Sequence, residues 1–284
     1  MTGVTIVEQY TEPVAFHAEG PVWSPSWGGL RCVDMFAGDV LSIGADRSVA
    51  RRHVGSIAAA VRPRRSGGAV IAVERGFVLE ATDGSLTALP EVWNDPSLRM
   101  NEGGCDPQGR FYCGSIAYDQ APGRASVYRL DADGSVTHLF GDVTCSNGID
   151  WSPDGRTAYY VDSATRCIDA FDYDASAGLA GRRTLVAIAD GIPDGLTVDA
   201  EGYVWVALYA GSAVHRYRPD GTLDGIVELP VSQVTACTFG GENLDQLFIT
   251  TSRENLPDDV QPEAGSIFHC TPGVRGRAAL PFAG

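Results

Sequence analysis

The chain has 284 residues, of which 44% are hydrophobic and 20% charged, and its formal net charge is −15. That acidity argues against nucleic acid and anionic membrane as partners, because both require a basic face. All 21 basic residues are Arg, which excludes chemistry through a Schiff-base lysine. A chain of this length buries about three quarters of the surface that its unfolded form exposes, so neither a disulfide nor a structural metal is needed merely to fold. The seven cysteines, Cys32, Cys105, Cys113, Cys145, Cys167, Cys237 and Cys270, are odd in number and form no CxxC pair. They read as small buried thiols in a reducing compartment. The sequence starts without a basic-then-apolar leader, and no run approaches about 18 apolar residues, so a soluble cytoplasmic protein is expected.

In chain order, the apolar runs are short and alternating. They include Ala69–Val73, 111–114, 158–161, 204–208 and 247–250, each bounded by Gly, Pro or Asp-Gly turns. Second runs at 125–130, 167–173 and 214–218 lead into polar turns and read as outer hairpins. No amphipathic helical window intervenes, and 34 Gly with 16 Pro suit many tight turns. The turn glycines Gly109, Gly155 and Gly202 recur about every 46 residues, with weaker copies near Gly28, Gly67 and Gly240. Six units of four strands predict an all-β fold, a six-bladed β-propeller with a central channel, as a single domain over 1–284. Ring closure is expected to pair the first strand, 4–9, with strands near 278–282.

A short pattern recurs in a fixed phase at the start of these units. Its copies read Glu19-Gly20-Pro21-Val22-Trp23-Ser24-Pro25, Asn101-Glu102-Gly103-Gly104, Asn147-Gly148-Ile149-Asp150-Trp151-Ser152-Pro153 and Asp194-Gly195-Leu196-Thr197. Aligned on the aromatic-Ser-Pro step, the six heads are Glu19, Ile57, Asn101, Asn147, Asp194 and Thr235. Asn-Gly and Asp-Gly also suit tight turns, but Glu has no such propensity. The recurrence favours a shared place at one mouth of the channel. Oxygen-only ligation selects hard or borderline divalent ions. Glu19 and Asp194 together balance a 2+ charge, and Asn147 adds a neutral carbonyl oxygen. Three protein ligands leave positions open for water and substrate. Arg99 and Asn101 alternate onto one face of an extended segment and suit a polyhydroxylated or carbonyl ligand. His17 lies on the same side of the chain as Glu19 and reads as a surface or supporting imidazole. The acidic stretch 254–263 reads as a solvated loop.

Taken together, these motifs resemble the senescence marker protein, gluconolactonase and luciferin-regenerating enzyme family. The resemblance runs over nearly the whole chain, through 18–23, Arg99-Met100-Asn101-Glu102-Gly103, 146–152, 171–174, 192–199 and 237–241. It implies a six-bladed propeller holding one divalent metal ion, with Ca, Zn, Mn, Fe and Mg all open. It implies Glu19, Asn147 and Asp194 as metal ligands, and Arg99 and Asn101 as contacts to a sugar lactone. The residue after the Asn is commonly Asp in the family; here it is Glu102, expected beside the substrate. The segment 115–124 departs from the vertebrate pattern and is expected to form part of a lid.

The leading expectation is metal-dependent hydrolysis of a sugar lactone to its aldonic acid, with Asp194 as the catalytic carboxylate. A covalent serine route lacks a G-x-S-x-G segment. One alternative is a hydrolase of other lactones, aryl esters or phosphotriesters on the same scaffold, with Trp23, Ile57 and Tyr118 as apolar surface. The other is a non-enzymatic calcium-binding propeller.

Overall fold

Short strands with one apolar face cannot bury it alone, so they assemble into sheets that stack face to face. A computed structural model describes residues 5–257 and 259–284. It is a six-bladed β-propeller of six four-stranded antiparallel sheets. The innermost strands of blades 1 to 6 are Ala18–Ser24, Ala58–Pro63, Leu98–Cys105, Ser146–Trp151, Ile192–Val198 and Val234–Gly240. Each inner strand touches the next, and the sixth touches the first. No α-helix occurs among the described residues, and none of their helical turns is long and apolar enough to cross a membrane.

Ring closure differs from the expectation. Glu8–Gln9 is the outermost strand of blade 6 and pairs with Ile267–Cys270, through Glu8↔His269 and Gln9↔Phe268. Residue 4 of the expected strand lies outside the described residues. The stretch 278–282 forms no ladder with it, because Gly273, Gly276 and Pro281 interrupt the C-terminal segment. That segment instead crosses the mouth of the channel opposite the strand heads. Ala200 N–H donates to the Arg275 carbonyl at 2.9 Å, Gly276 N–H to Leu244 at 2.8 Å, Phe282 N–H to Pro63 at 2.7 Å and Ala283 N–H to Gly109 at 2.8 Å.

Every inner strand slips register near its start. The slips fall between Glu19 and Val22, Ala58 and Ala60, Met100 and Gly103, Ser146 and Ile149, Pro193 and Leu196, and Val234 and Ala236. A bulge leaves one residue unpaired and re-aims its side chain. In blade 2 the bulged residue is Ala59. Ile57 precedes the strand and belongs to an apolar cluster with Met35 and Met100. Blade 2 carries Arg62-Pro63 where blades 1 and 4 carry Trp-Ser-Pro, and aligning on that proline sets the head two residues before the bulged one.

The glycines behind the heads meet a packing requirement. Gly148 and Gly195 lie inside strands and do not adopt positive φ, which rules out the tight-turn reading of Asn147-Gly148 and Asp194-Gly195. A Cβ on Gly148 would lie 2.4 Å from Leu196 N, and one on Gly195 would lie 2.4 Å from Ala236 Cβ. Neighbouring blades approach too closely here for any side chain. Gly148→Ala should therefore cost about 1–3 kcal/mol, the range for overpacking a tight interior. A lowered urea unfolding midpoint would register it. An unchanged midpoint would show that the neighbouring blade gives way.

Candidate functional site

Bulges carry Asn101, Asn147 and Asp194 to one end of the axis, and Glu19, paired with Val33 just before the bulge of its strand, reaches the same end. Glu19, Asn101, Asn147 and Asp194 all line a cavity of about 410 Å³ there, together with Arg99 and His17. All six side chains are buried. Thr235, the head of blade 6, does not join them: its hydroxyl donates to the Ala18 carbonyl at 2.6 Å and ties blade 6 to blade 1.

Hydrogen bonds fix the two amides. Asn101 Nδ2 donates to Asn147 Oδ1 at 3.0 Å and to the Ser146 carbonyl at 2.7 Å. Asn147 Nδ2 donates to Ser163 Oγ at 2.8 Å, and Ser163 Oγ donates to the Pro193 carbonyl at 2.7 Å. With its amide nitrogen held this way, Asn147 has its oxygen turned toward Asn101. Arg99 Nη1 donates to Asn101 Oδ1 at 2.7 Å, to the Met100 carbonyl at 3.1 Å and to Met35 Sδ at 3.0 Å. The guanidinium lies 5.3 Å from the centre of the Phe36 ring.

The carboxylates are under electrostatic stress. Burial pushes the Glu19 carboxyl well above its usual range, and the Glu102 charge adds to this. The Gly20 N–H, Arg99 and Arg62 oppose it. Asp194 is also pushed well up, by burial first and then by Glu19, Glu102 and Glu254. Asp194 Oδ1 is buried and has no hydrogen-bond partner. Of the charged side chains that line the cavity, the three carboxylates Glu19, Asp194 and Glu254 outnumber the two guanidiniums Arg99 and Arg166, which leaves one net negative charge when all are ionised. An orphaned oxygen and a deficit of positive charge fit a divalent cation. Among the described residues no three His, Cys, Asp or Glu side chains gather closely enough to hold an ion alone. A site here therefore depends on the Asn147 amide.

Several residues lie elsewhere than the sequence suggested. Glu102 lines a separate chamber of about 60 Å³ deeper in the channel, beside Arg62 and Asp150 and roofed by the C-terminal segment. Its carboxyl is pushed up to about 7, mainly by burial, with Arg62 at 3.8 Å opposing. The bulge turns Asn101 outward to the mouth and its neighbour Glu102 inward, so Glu102, expected beside the substrate, lines the inner chamber and not the mouth cavity. Trp23 stacks on Phe248 within the blades and lines neither cavity. The expected lid is partly met. Ser115, Ile116 and Ala117 belong to strand Phe111–Ala117, while Ile116 and Gln120 line the cavity. Tyr118 donates from its hydroxyl to Glu74 Oε1 at 2.6 Å.

His17 is buried in the cavity wall, not on the surface. Its Nδ1 lies 2.8 Å from Ser252 Oγ and 3.4 Å from Glu254 Oε2, and its Nε2 lies 3.9 Å from Glu19 Oε1. Burial, with Arg99, holds it down to about 3, so it is neutral at pH 7. Glu254, read as part of a solvated loop, lines the cavity, as do Tyr209 and Ser163. The head phase could not reveal these three, because they come from the far ends of second strands and from a loop. Spacing did place His17 on the side of Glu19.

The chain is a six-bladed propeller with an acidic, oxygen-rich cavity at one mouth of its channel. The sequence profile described as SMP-30/Gluconolactonase/LRE-like region matches residues 17–253, and the chain belongs to that family. Regucalcin from Danio rerio is 37% identical over 278 residues, covering 94% of each chain. The solved structure of luciferin-regenerating enzyme superposes with a TM-score of 0.91 at 29% identity, covering 98% of this chain and 99% of the other. That of the calcium-binding protein regucalcin from Agrobacterium tumefaciens gives 0.92 at 29% identity, covering 98% and 97%.

A buried carboxyl with raised pKa contributes stability at low pH and loses it as pH rises through its folded value. In chelator, Asp194→Asn should therefore melt higher than wild type at pH 8, and the gap should shrink as the pH falls toward 5. A variant that melts lower than wild type at pH 8 would contradict the repulsion.

Proposed function

We propose that the protein is a metal-dependent hydrolase that opens a sugar lactone to its aldonic acid. The observation that carries this reading is the buried, unpartnered Asp194 Oδ1 beside Glu19 in a cavity that also presents Arg99. The gluconolactonase in the family description supports the substrate class. Glu19, Asn147 and Asp194 would hold a divalent cation, and their oxygen donors suit Ca²⁺, Mg²⁺ or Mn²⁺ and accept Zn²⁺ or Fe²⁺. When bound, the cation supplies Lewis-acid polarisation of the lactone carbonyl.

The chain's own residues do the rest. Asp194 takes a proton from the water that attacks the carbonyl carbon. The ring C–O bond then breaks, and the proton passes to the departing alkoxide. Arg99 orients the carbonyl or the ring hydroxyls, because all its bonds to the described residues leave from Nη1. Asn101 holds both Arg99 and the Asn147 amide in place and so couples substrate position to ligand orientation.

A second reading, an aryl ester or a lactone with an apolar substituent, is favoured by one observation. Phe16 and Tyr118 are 51% and 48% exposed close to the mouth, within reach of Phe36 and Arg99. A pH-indicator assay over aldonolactones and phenyl acetate, corrected for spontaneous hydrolysis, separates the two. EDTA should abolish lactone opening, and Mn²⁺, Zn²⁺, Ca²⁺ or Fe²⁺ should restore it. Asp194→Ala should lower kcat/KM by about 10²–10⁴-fold, the range of a positioned general base. Full activity in metal-free protein would overturn the proposal.

A further inference from the structure

The loop after strand Gln246–Thr251 delivers a carboxylate to the mouth cavity that Arg99 also lines. The loop is fastened where it does so. Glu254 N–H donates to Ser252 Oγ at 2.9 Å, and the Tyr209 hydroxyl donates to the Glu254 carbonyl at 3.4 Å. Asn255 Nδ2 donates to the Tyr209 hydroxyl at 3.3 Å, and Arg253 N–H donates to the Phe16 carbonyl at 2.8 Å. The Glu254 side chain is one-third exposed and lines the cavity, with Oε2 3.4 Å from a neutral His17. Burial raises its carboxyl, while the Arg99 charge and Tyr209 pull it back.

Chemically the two groups are complementary. A guanidinium only donates and an ionised carboxylate only accepts. A ring bearing several hydroxyls satisfies both at once, since each hydroxyl donates and accepts. A ring without hydroxyls leaves Glu254 desolvated and unpaired, which a site built for hydrogen bonding rejects strongly. A ring bearing its own carboxylate meets like charge at Glu254. Resting on the lactonase reading above, we propose that Glu254 determines specificity by accepting hydrogen bonds from substrate hydroxyls. It selects neutral polyhydroxylated lactones over both unsubstituted lactones and lactones that carry a free carboxylate.

The test compares the metal-loaded wild type with Glu254→Gln on D-glucono-1,4-lactone, γ-butyrolactone and D-glucaro-1,4-lactone, the last having a carboxylate in place of the terminal hydroxymethyl group. The variant should lose about 10- to 100-fold in kcat/KM on the gluconolactone, the worth of a hydrogen bond to a charged group. It should lose at least fivefold less on γ-butyrolactone and gain on the glucarolactone. Equal losses on all three substrates would overturn the inference and leave lactonase activity intact. Calorimetric titration with the non-hydrolysable D-gluconolactam reads recognition without turnover. Weaker binding by the variant supports the role of Glu254. Equal affinity, or no binding by wild type, overturns it. Wild type that binds the lactam but opens no lactone would sink the lactonase reading alone.

Discussion

Two carboxylates held out of water at one end of a closed ring are the constraint on which the site depends. Glu19 and Asp194 come from blades 1 and 5, and each is buried where ionisation is unfavourable. A fold does not bring such groups together by burying apolar surface, because transferring each charge from water costs free energy. They are brought together by ring closure, which sets the starts of the inner strands around one axis; Asp194 lies in the bulge of its strand and Glu19 directly before the bulge of its own. The charge left over must be met by protons or by a cation, and that choice links the stability of the empty site to pH.

Hydrogen bonds at the mouth also run from blade to blade. Asn101 in blade 3 bonds Asn147 in blade 4, Asn147 bonds Ser163, and Ser163 bonds the Pro193 carbonyl in blade 5. Thr235 closes blade 6 onto blade 1. Side chains proposed as ligands and substrate contacts thus also fasten blade to blade. The glycines behind them, Gly148 and Gly195, let the blades come close enough for these bonds to form.

Much of this was legible in the sequence because the propeller is a repeat. The recurring turn glycines revealed six units, and the phase of Glu19, Asn101, Asn147 and Asp194 revealed a shared level. What spacing could not supply was the local direction of side chains within a bulge. It could not show that Asn101 faces the mouth while Glu102 faces the inner chamber. Nor could it show that Gly148 answers a neighbouring backbone and not a turn. Ile57 is misplaced because blade 2 has Arg62-Pro63 in place of the Trp-Ser-Pro marker of blades 1 and 4. Ser163, Tyr209 and Glu254 sit outside the repeated phase, and three-dimensional closure alone brings them to the cavity. The C-terminal segment was taken for a strand, although its glycines and Pro281 make it a cross-tie under the channel.

The central claim is that Glu19, Asn147 and Asp194 converge to hold one divalent cation. Crystals soaked in Mn²⁺ and measured for anomalous scattering address it directly. The account predicts one strong peak on the propeller axis, within roughly 2.6 Å of an oxygen from each of the three side chains, the outer limit for oxygen ligation of a hard divalent ion. A saturated crystal with no peak there, or with its strongest peak held by other residues, would contradict it.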